Sequence, residues 1–110
     1  MTSTLPEIDL TAVQRHVLKT VFARFADRLD VVGVYGSRVQ ARARPGSDID
    51  LVVYGTVTDR DLSDMRHDLE DSDLSIFADV IAYDRIEHPK LREQIDKWAK
   101  PLFDRADLLS

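Results

Sequence analysis

The sequence contains no cysteine, and that absence removes disulfides, thiolate zinc sites and a cysteine nucleophile together. It also lacks any uninterrupted apolar run near the roughly 20 residues that cross a bilayer. Its first residues, Met1 to Glu7, do not follow the charged-then-apolar layout of a secretory leader. A soluble, cytoplasmic protein is the expectation. Surplus positive charge is missing as well: the formal net charge is −5. Broad wrapping of a nucleic acid draws its strength from Lys and Arg on phosphates, so direct nucleic-acid binding is not expected, and any polyanion has to be held locally or through a metal. What the chain does have is 110 residues of which 44% are apolar, enough to bury the core of one domain spanning residues 1–110.

Apolar residues at Val13, Val17, Leu18, Val21, Phe22 and Phe25 keep a helical period, and Thr11 with Gln14 forms a capping-box pattern, so a first helix is predicted from about Thr11 to Asp27. The β-branched run from Val31 to Tyr35 predicts a strand ending at Gly36-Ser37. A turn or short helix follows, and Arg44-Pro-Gly-Ser47 signals a loop before a second strand, Asp48 to Tyr54. Leu62, Met65 and Leu69 share one face of a helix over about 59–71, with Thr58 as its N-cap. Leu74 to Ala82 is predicted as a third strand, and Ile86, Leu91, Ile95 and Trp98 as a last helix stopped before Pro101. The order is that of an α/β protein whose helices cover one sheet face and leave the other for chemistry. Strand order and direction stay open at this level.

The aspartates carry the functional argument. Residues two apart in a strand share a face about 7 Å apart, so Asp48 and Asp50 project together while Ile49 and Leu51 enter the core. Carboxylates this close repel unless a proton or cation intervenes, and hard oxygen ligands favour Mg2+ or Mn2+. Paired metal ions about 4 Å apart can activate an attacking oxygen and stabilise a leaving oxygen in phosphoryl displacement. Asp79 is the third candidate, because it interrupts the apolar stretch from Ile76 to Ala82, where a charge is costly without a partner. If the third strand lies beside the second, Asp79 reaches the same face; the bland alternative is an edge position in water. Gly36 permits close backbone approach, and Ser37 offers a hydroxyl and an N–H where a short helix begins, a geometry suited to phosphate. Arg38 can add a charged contact to a triphosphate.

Gly36-Ser37-Arg38, the ten residues from Arg38 to Ser47, and Asp48-Ile49-Asp50-Leu51 together resemble the signature of the polymerase-beta-like nucleotidyltransferases. The short chain, Asp79 between apolar residues, and the tail from Leu91 to Phe103 resemble the minimal nucleotidyltransferases, the MntA-like proteins encoded beside HEPN-domain proteins. The resemblance implies a small mixed sheet with helices packed on one face. It implies that Asp48, Asp50 and Asp79 are catalytic and bind two Mg2+ ions, with Mn2+ as a substitute. Gly36 and Ser37, with Arg38 and Ser47, would hold a nucleoside triphosphate, and Asp79 would also help deprotonate the acceptor hydroxyl. The implied activity is transfer of AMP from ATP to a hydroxyl on a HEPN-domain partner within a hetero-oligomer, the chain being either the antitoxin of a HEPN toxin or the nucleotide-binding subunit beside a substrate-binding HEPN protein. Two departures stand out: Ala41 where many relatives have Gly, and Pro101 in a tail that often carries Gly.

Other features read as structural. His16, His67 and His88 have no mutual ligand spacing. The acidic run from Asp68 to Asp73 straddles a helix end and reads as a solvated face. Arg42 and Arg44 belong with Arg38 to a local basic cluster on an exposed connection, and Trp98 and Phe103 read as core under the last helix. Against the enzyme stands a binding module, a nucleotide-binding subunit or antitoxin acting by contact. A small-molecule nucleotidyltransferase is a third reading, handicapped by the small room 110 residues leave for an acceptor domain.

Overall fold

The computed structural model describes residues 8–40 and 46–110. Helix α1 (Ala12–Ala23) opens with the expected capping box: the Gln14 N–H donates to Thr11 Oγ1 at 3.1 Å and the Thr11 N–H to Gln14 Oε1 at 2.9 Å. It stops four residues before Asp27. Phe25 leaves helical geometry, with φ −108° and ψ 13°, and a 3₁₀ turn (Ala26–Arg28) redirects the chain into strand β1 (Leu29–Tyr35). A second 3₁₀ turn (Gly36–Arg38) follows, then strand β2 (Ile49–Gly55). Helix α2 (Asp59–Glu70) is capped by Thr58, as predicted, with Asp61 closing the box. Strand β3 (Ala78–Ala82) is shorter than expected, residues 74–77 lying outside it, although the Ile49 N–H still donates to the Phe77 carbonyl at 3.0 Å. After a third 3₁₀ turn (Tyr83–Arg85) come helix α3 (Pro89–Trp98), strand β4 (Lys100–Asp104) and the short helix α4 (Arg105–Leu109).

The four strands form one mixed sheet in the order β3-β2-β1-β4. β1 runs antiparallel to β2 and β4, while β2 and β3 are parallel, joined by the crossover through α2. The fourth strand is the element the sequence reading did not contain. Pro101 reads as a stop after α3, yet proline is tolerated in an edge strand. β4 is an edge strand, and its register against β1 shifts between Val32 and Gly33, beside Pro101.

Alternation along the strands sorts the two faces. Val32, Val34, Ile49, Leu51, Val53, Ala78, Val80 and Ala82 point to the core, where they meet Leu18 and Phe22 of α1, Leu62, Met65 and Leu69 of α2, and Leu108 of α4. Each such side chain contributes about 1.5–3 kcal/mol when taken fully from water. Val52 is fully buried but outside this cluster, because its parity places it on the second face with Asp50 and Tyr54. α3 is pinned through Tyr83, whose ring stacks on Tyr54 at 5.0 Å and whose hydroxyl donates to Asp96 at 2.7 Å. The helices α1, α2 and α4 thus cover the core face, and α3 serves the far end of the second face. Phe103 is core, as expected; Trp98 is not, being 38% exposed with Lys97 Nζ over its ring at 5.3 Å. No helix among the described residues is long and apolar enough to cross a membrane.

Candidate functional site

The cross-strand register assembles the site. Asp50 is opposite Tyr35 on β1 and opposite Asp79 on β3, giving a row Tyr35, Asp50, Asp79 on the second face. Neighbouring strands lie about 4.8 Å apart, so the two residues stand side by side on that face. Both sequence alternatives for Asp79 hold in part: β3 lies beside β2, and it is also a sheet edge with the Asp79 side chain 45% exposed. Asp48 precedes β2 and is exposed. Its charge is nonetheless felt: the Asp50 carboxyl is pushed above its ordinary value of 3.8 by burial first, then by Asp48 and Asp79. The Tyr35 phenol, half-buried beside Asp50, is pushed up to about 12 by burial first, then by Asp50 and Asp79, so it is neutral at any physiological pH.

Gly36 is required here twice over. Its φ is +79°, a left-handed conformation that a side chain strains, and a Cβ built on it would lie 2.6 Å from Asp50 Oδ2. The turn that begins at Gly36 is therefore packed directly against the Asp50 carboxylate. Ser37 follows in the 3₁₀ turn, whose end is closed by the Val39 N–H donating to the Gly36 carbonyl at 3.2 Å.

Arg38, read from the sequence as a triphosphate contact, is placed otherwise. Its side chain is buried; Nη1 donates to the Asp9 carbonyl at 2.9 Å and Nη2 to the Ser47 carbonyl at 2.6 Å. Its Nε is buried without a hydrogen-bond partner among the described residues. Arg38 is thus a clamp that ties the turn to the N-terminal segment and to the start of β2. Ser47, half-buried, is held through its carbonyl by this clamp. Ala41, Arg42 and Arg44 lie outside the described residues.

Two residues of the site were missed in the sequence. Tyr35 carried a legible signal, since it precedes Gly36 and shares the parity of the open face. Arg66 carried none. It projects from α2, its Nε donating to Asp79 Oδ1 at 3.3 Å and its Nη2 to the Val80 carbonyl at 2.9 Å. A groove of about 690 Å³ lies beside the aspartates rather than over them, with Arg66, Asp84, Arg85 and Glu87 on its walls. His16, His67 and His88 are exposed, in keeping with a structural reading.

The chemistry of the donor set suits a hard divalent cation, because the oxygens of Asp48, Asp50 and Asp79 share one electrostatic field and Asp50 makes no salt bridge among the described residues. Among the described residues no three acidic or histidine side chains stand close enough, as placed, to share one ion. Asp79 turns to Arg66 instead.

The mixed α/β sheet, with Gly36-Ser37 after one strand and Asp48-Ile49-Asp50 at the start of the next, is that of a polymerase-beta-like nucleotidyltransferase. The chain belongs to the family described as polymerase beta, nucleotidyltransferase, which matches residues 17–108. Its fold is similar to that of three solved structures. One, a toxin–antitoxin with AMP-PNP, has TM-score 0.67 at 19% identity, covering 86% of this chain and 78% of that one. A mutant of the MntA–HpeT toxin–antitoxin has TM-score 0.66 at 16% identity over 82% and 73% of the two chains. The MntA–HepT toxin–antitoxin has TM-score 0.64 at 16% identity over 86% and 73%. No curated protein matches the sequence.

Proposed function

We propose that residues 1–110 act as one metal-dependent nucleotidyltransferase domain that moves AMP from ATP onto a hydroxyl of a HEPN toxin partner, and so serves as its antitoxin. The observation that carries this reading is the row of Asp50 and Asp79 in register, with Asp48 close enough to act on Asp50 and Gly36 packed on its carboxylate. The likeness in fold to antitoxin structures, one of them holding AMP-PNP, supports the choice of nucleotide and partner.

Asp48, Asp50 and Asp79 would hold Mg2+ or Mn2+, which when bound neutralises the triphosphate and polarises the reacting oxygens. The backbone and hydroxyl of Gly36-Ser37 would bind phosphate oxygens, and Ser47 would sit beside them. Arg38 fixes that turn from behind, through the carbonyls of Asp9 and Ser47. Tyr35, held neutral, keeps a hydroxyl rather than a charge at the floor of the site. Asp79, on the exposed side of the row, would also help take the proton from the acceptor hydroxyl. The ion pair between Asp79 and Arg66 favours a second reading, in which the site binds nucleotide and the protein neutralises its partner by contact.

The test is incubation of the chain and its partner with Mg2+ and each labelled nucleoside triphosphate, followed by intact mass of both. Addition of a nucleoside monophosphate to the partner, lost with Asp48→Asn, supports transfer. A stable complex with no added mass, and neutralisation that survives Asp48→Asn, supports action by contact.

A further inference from the structure

Arg66 stands on α2, away from the Gly-Ser and Asp-x-Asp segments, yet it makes the one salt bridge found among the described residues to Asp48, Asp50 or Asp79. Its two bonds differ in kind. Nη2 is anchored on the Val80 carbonyl at 2.9 Å, on the strand that closes one side of the sheet. Nε reaches Asp79 Oδ1 at 3.3 Å, and both side chains are nearly half exposed, 46% for Arg66 and 45% for Asp79. An ion pair this open to water is weak and readily exchanged. The bond to Asp79 can therefore break while the bond to Val80 keeps the guanidinium nearby. Asp84 and Glu87 line the same groove and offer it other acidic neighbours.

The partner of this pair is not an ordinary surface carboxylate. Asp79 is in register with Asp50, which makes no salt bridge among the described residues. Two carboxylates on neighbouring strands repel each other, and a cation at this row relieves that repulsion.

We infer that Arg66 is a stand-in for the divalent cation: a positioning residue that neutralises Asp79 until the ion arrives, then yields to it, and so limits how tightly the ion is held. This rests on the proposed function, in which Asp79 is a metal ligand. Arg66 also explains why the acidic trio is not drawn together as it stands, since Asp79 faces the guanidinium rather than Asp48 and Asp50.

The experiment is Mn2+ binding to the full chain, measured by electron paramagnetic resonance of free Mn2+ and by the Mn2+-induced rise in Tm, for the wild type, Arg66→Ala, Arg66→Gln, Arg66→Lys and Asp48→Asn. Removing the competing charge is expected to tighten Mn2+ by about three- to fivefold, the scale of an exposed ion pair. The Mn2+-induced rise in Tm should grow, while Tm in EDTA falls because Asp79 loses its counter-charge. Arg66→Lys should stay near the wild type. Arg66→Gln keeps a donor for the Val80 carbonyl, carries the same expectation as alanine, and decides the matter if the alanine variant does not fold. Mn2+ bound equally or more weakly by Arg66→Ala and Arg66→Gln overturns the inference, as does a fall in Tm of equal size with and without Mn2+. Failure of the proposed function looks different: wild-type chain that binds no Mn2+, or binds it unchanged by Asp48→Asn, removes the metal site and this inference with it.

Discussion

Asp50 on β2 and Asp61 on α2 are both drawn away from water, and they respond in opposite ways. Asp61 is supplied with everything a carboxylate needs: the Thr58 N–H donates to it at 3.0 Å and Arg28 Nη1 at 3.1 Å. Its carboxyl is held below the ordinary value, chiefly by the Thr58 backbone N–H, with the Thr58 side chain and Arg28 adding to it against the cost of burial. Asp50 meets burial, Asp48 and Asp79, and its carboxyl is pushed up. One aspartate finishes a helix cap; the other is left wanting a cation. In a chain with 20 acidic residues, what separates a structural carboxylate from a candidate ligand is whether the fold itself provides the compensating charge.

The contrast breaks most visibly on activity. If Asp50 and Asp48 hold the ions of a transfer reaction, Asp48→Asn and Asp50→Asn should each lower AMP incorporation at least about 100-fold, read by intact mass of the partner. Asp61→Asn should leave it unchanged, and equal losses at both places would erase the distinction. Gly36→Ala comes next. A left-handed backbone costs a non-glycine residue about 1–2 kcal/mol, while the atom its Cβ would strike, Asp50 Oδ2 at 2.6 Å, ends a side chain that can move. The variant should therefore fold with a lowered Tm and lose activity by about 10-fold or more, because the displaced group is Asp50.

Asp61→Ala sharpens the other side, with an expected loss of about 1–2 kcal/mol in urea unfolding, because the Thr58 N–H and Arg28 lose the carboxylate that satisfies them. The sign with pH follows from the lowered carboxyl: the stability Asp61 adds is present above its unfolded value near 3.8 and is lost as pH falls through the lower folded value. The wild type should thus lose its advantage over Asp61→Asn in acid. Asp50 runs the other way, and the effect is the smallest. Its raised folded value means that ionised Asp50 is a liability above that value and harmless below the unfolded one. In EDTA near pH 7, Asp50→Asn should raise Tm by about 2 °C, and the gain should vanish at acid pH. A fall in Tm at neutral pH would mean that Asp50 already has a cation the fold supplies.

Much of this was legible in the residue order. Thr11 with Gln14 and Thr58 before the Leu62, Met65, Leu69 stripe marked helix starts, since caps and periods are local properties. Asp48-Ile49-Asp50-Leu51 marked the open face, because alternation alone sends Ile49 and Leu51 inward. The missed parts are those decided by distant partners. β4 hid behind Pro101, harmless only because that strand is at an edge. Arg38 showed the sequence a charge, but the carbonyls of Asp9 and Ser47 that claim it are brought there by the fold. Arg66 and Asp79 are 13 positions apart, on a helix and a strand whose contact no local pattern announces. Trp98 kept the helical period of a core residue, yet it lies on the exposed side of α3.

The parallel pairing of β2 with β3 has one more consequence, for how the chain checks its own assembly. A slip of one residue along β3 would turn Asp79 inward and set a bare carboxylate among Leu62, Met65 and Leu69, while Val80 went out to water. A slip of two would restore the face but leave Asp50 opposite Phe77 or Ile81. The acidic row is therefore a proofreading mark written across two strands: the aspartates align in one zippering of the sheet, and the misaligned sheets are those that drown a charge or lose the site.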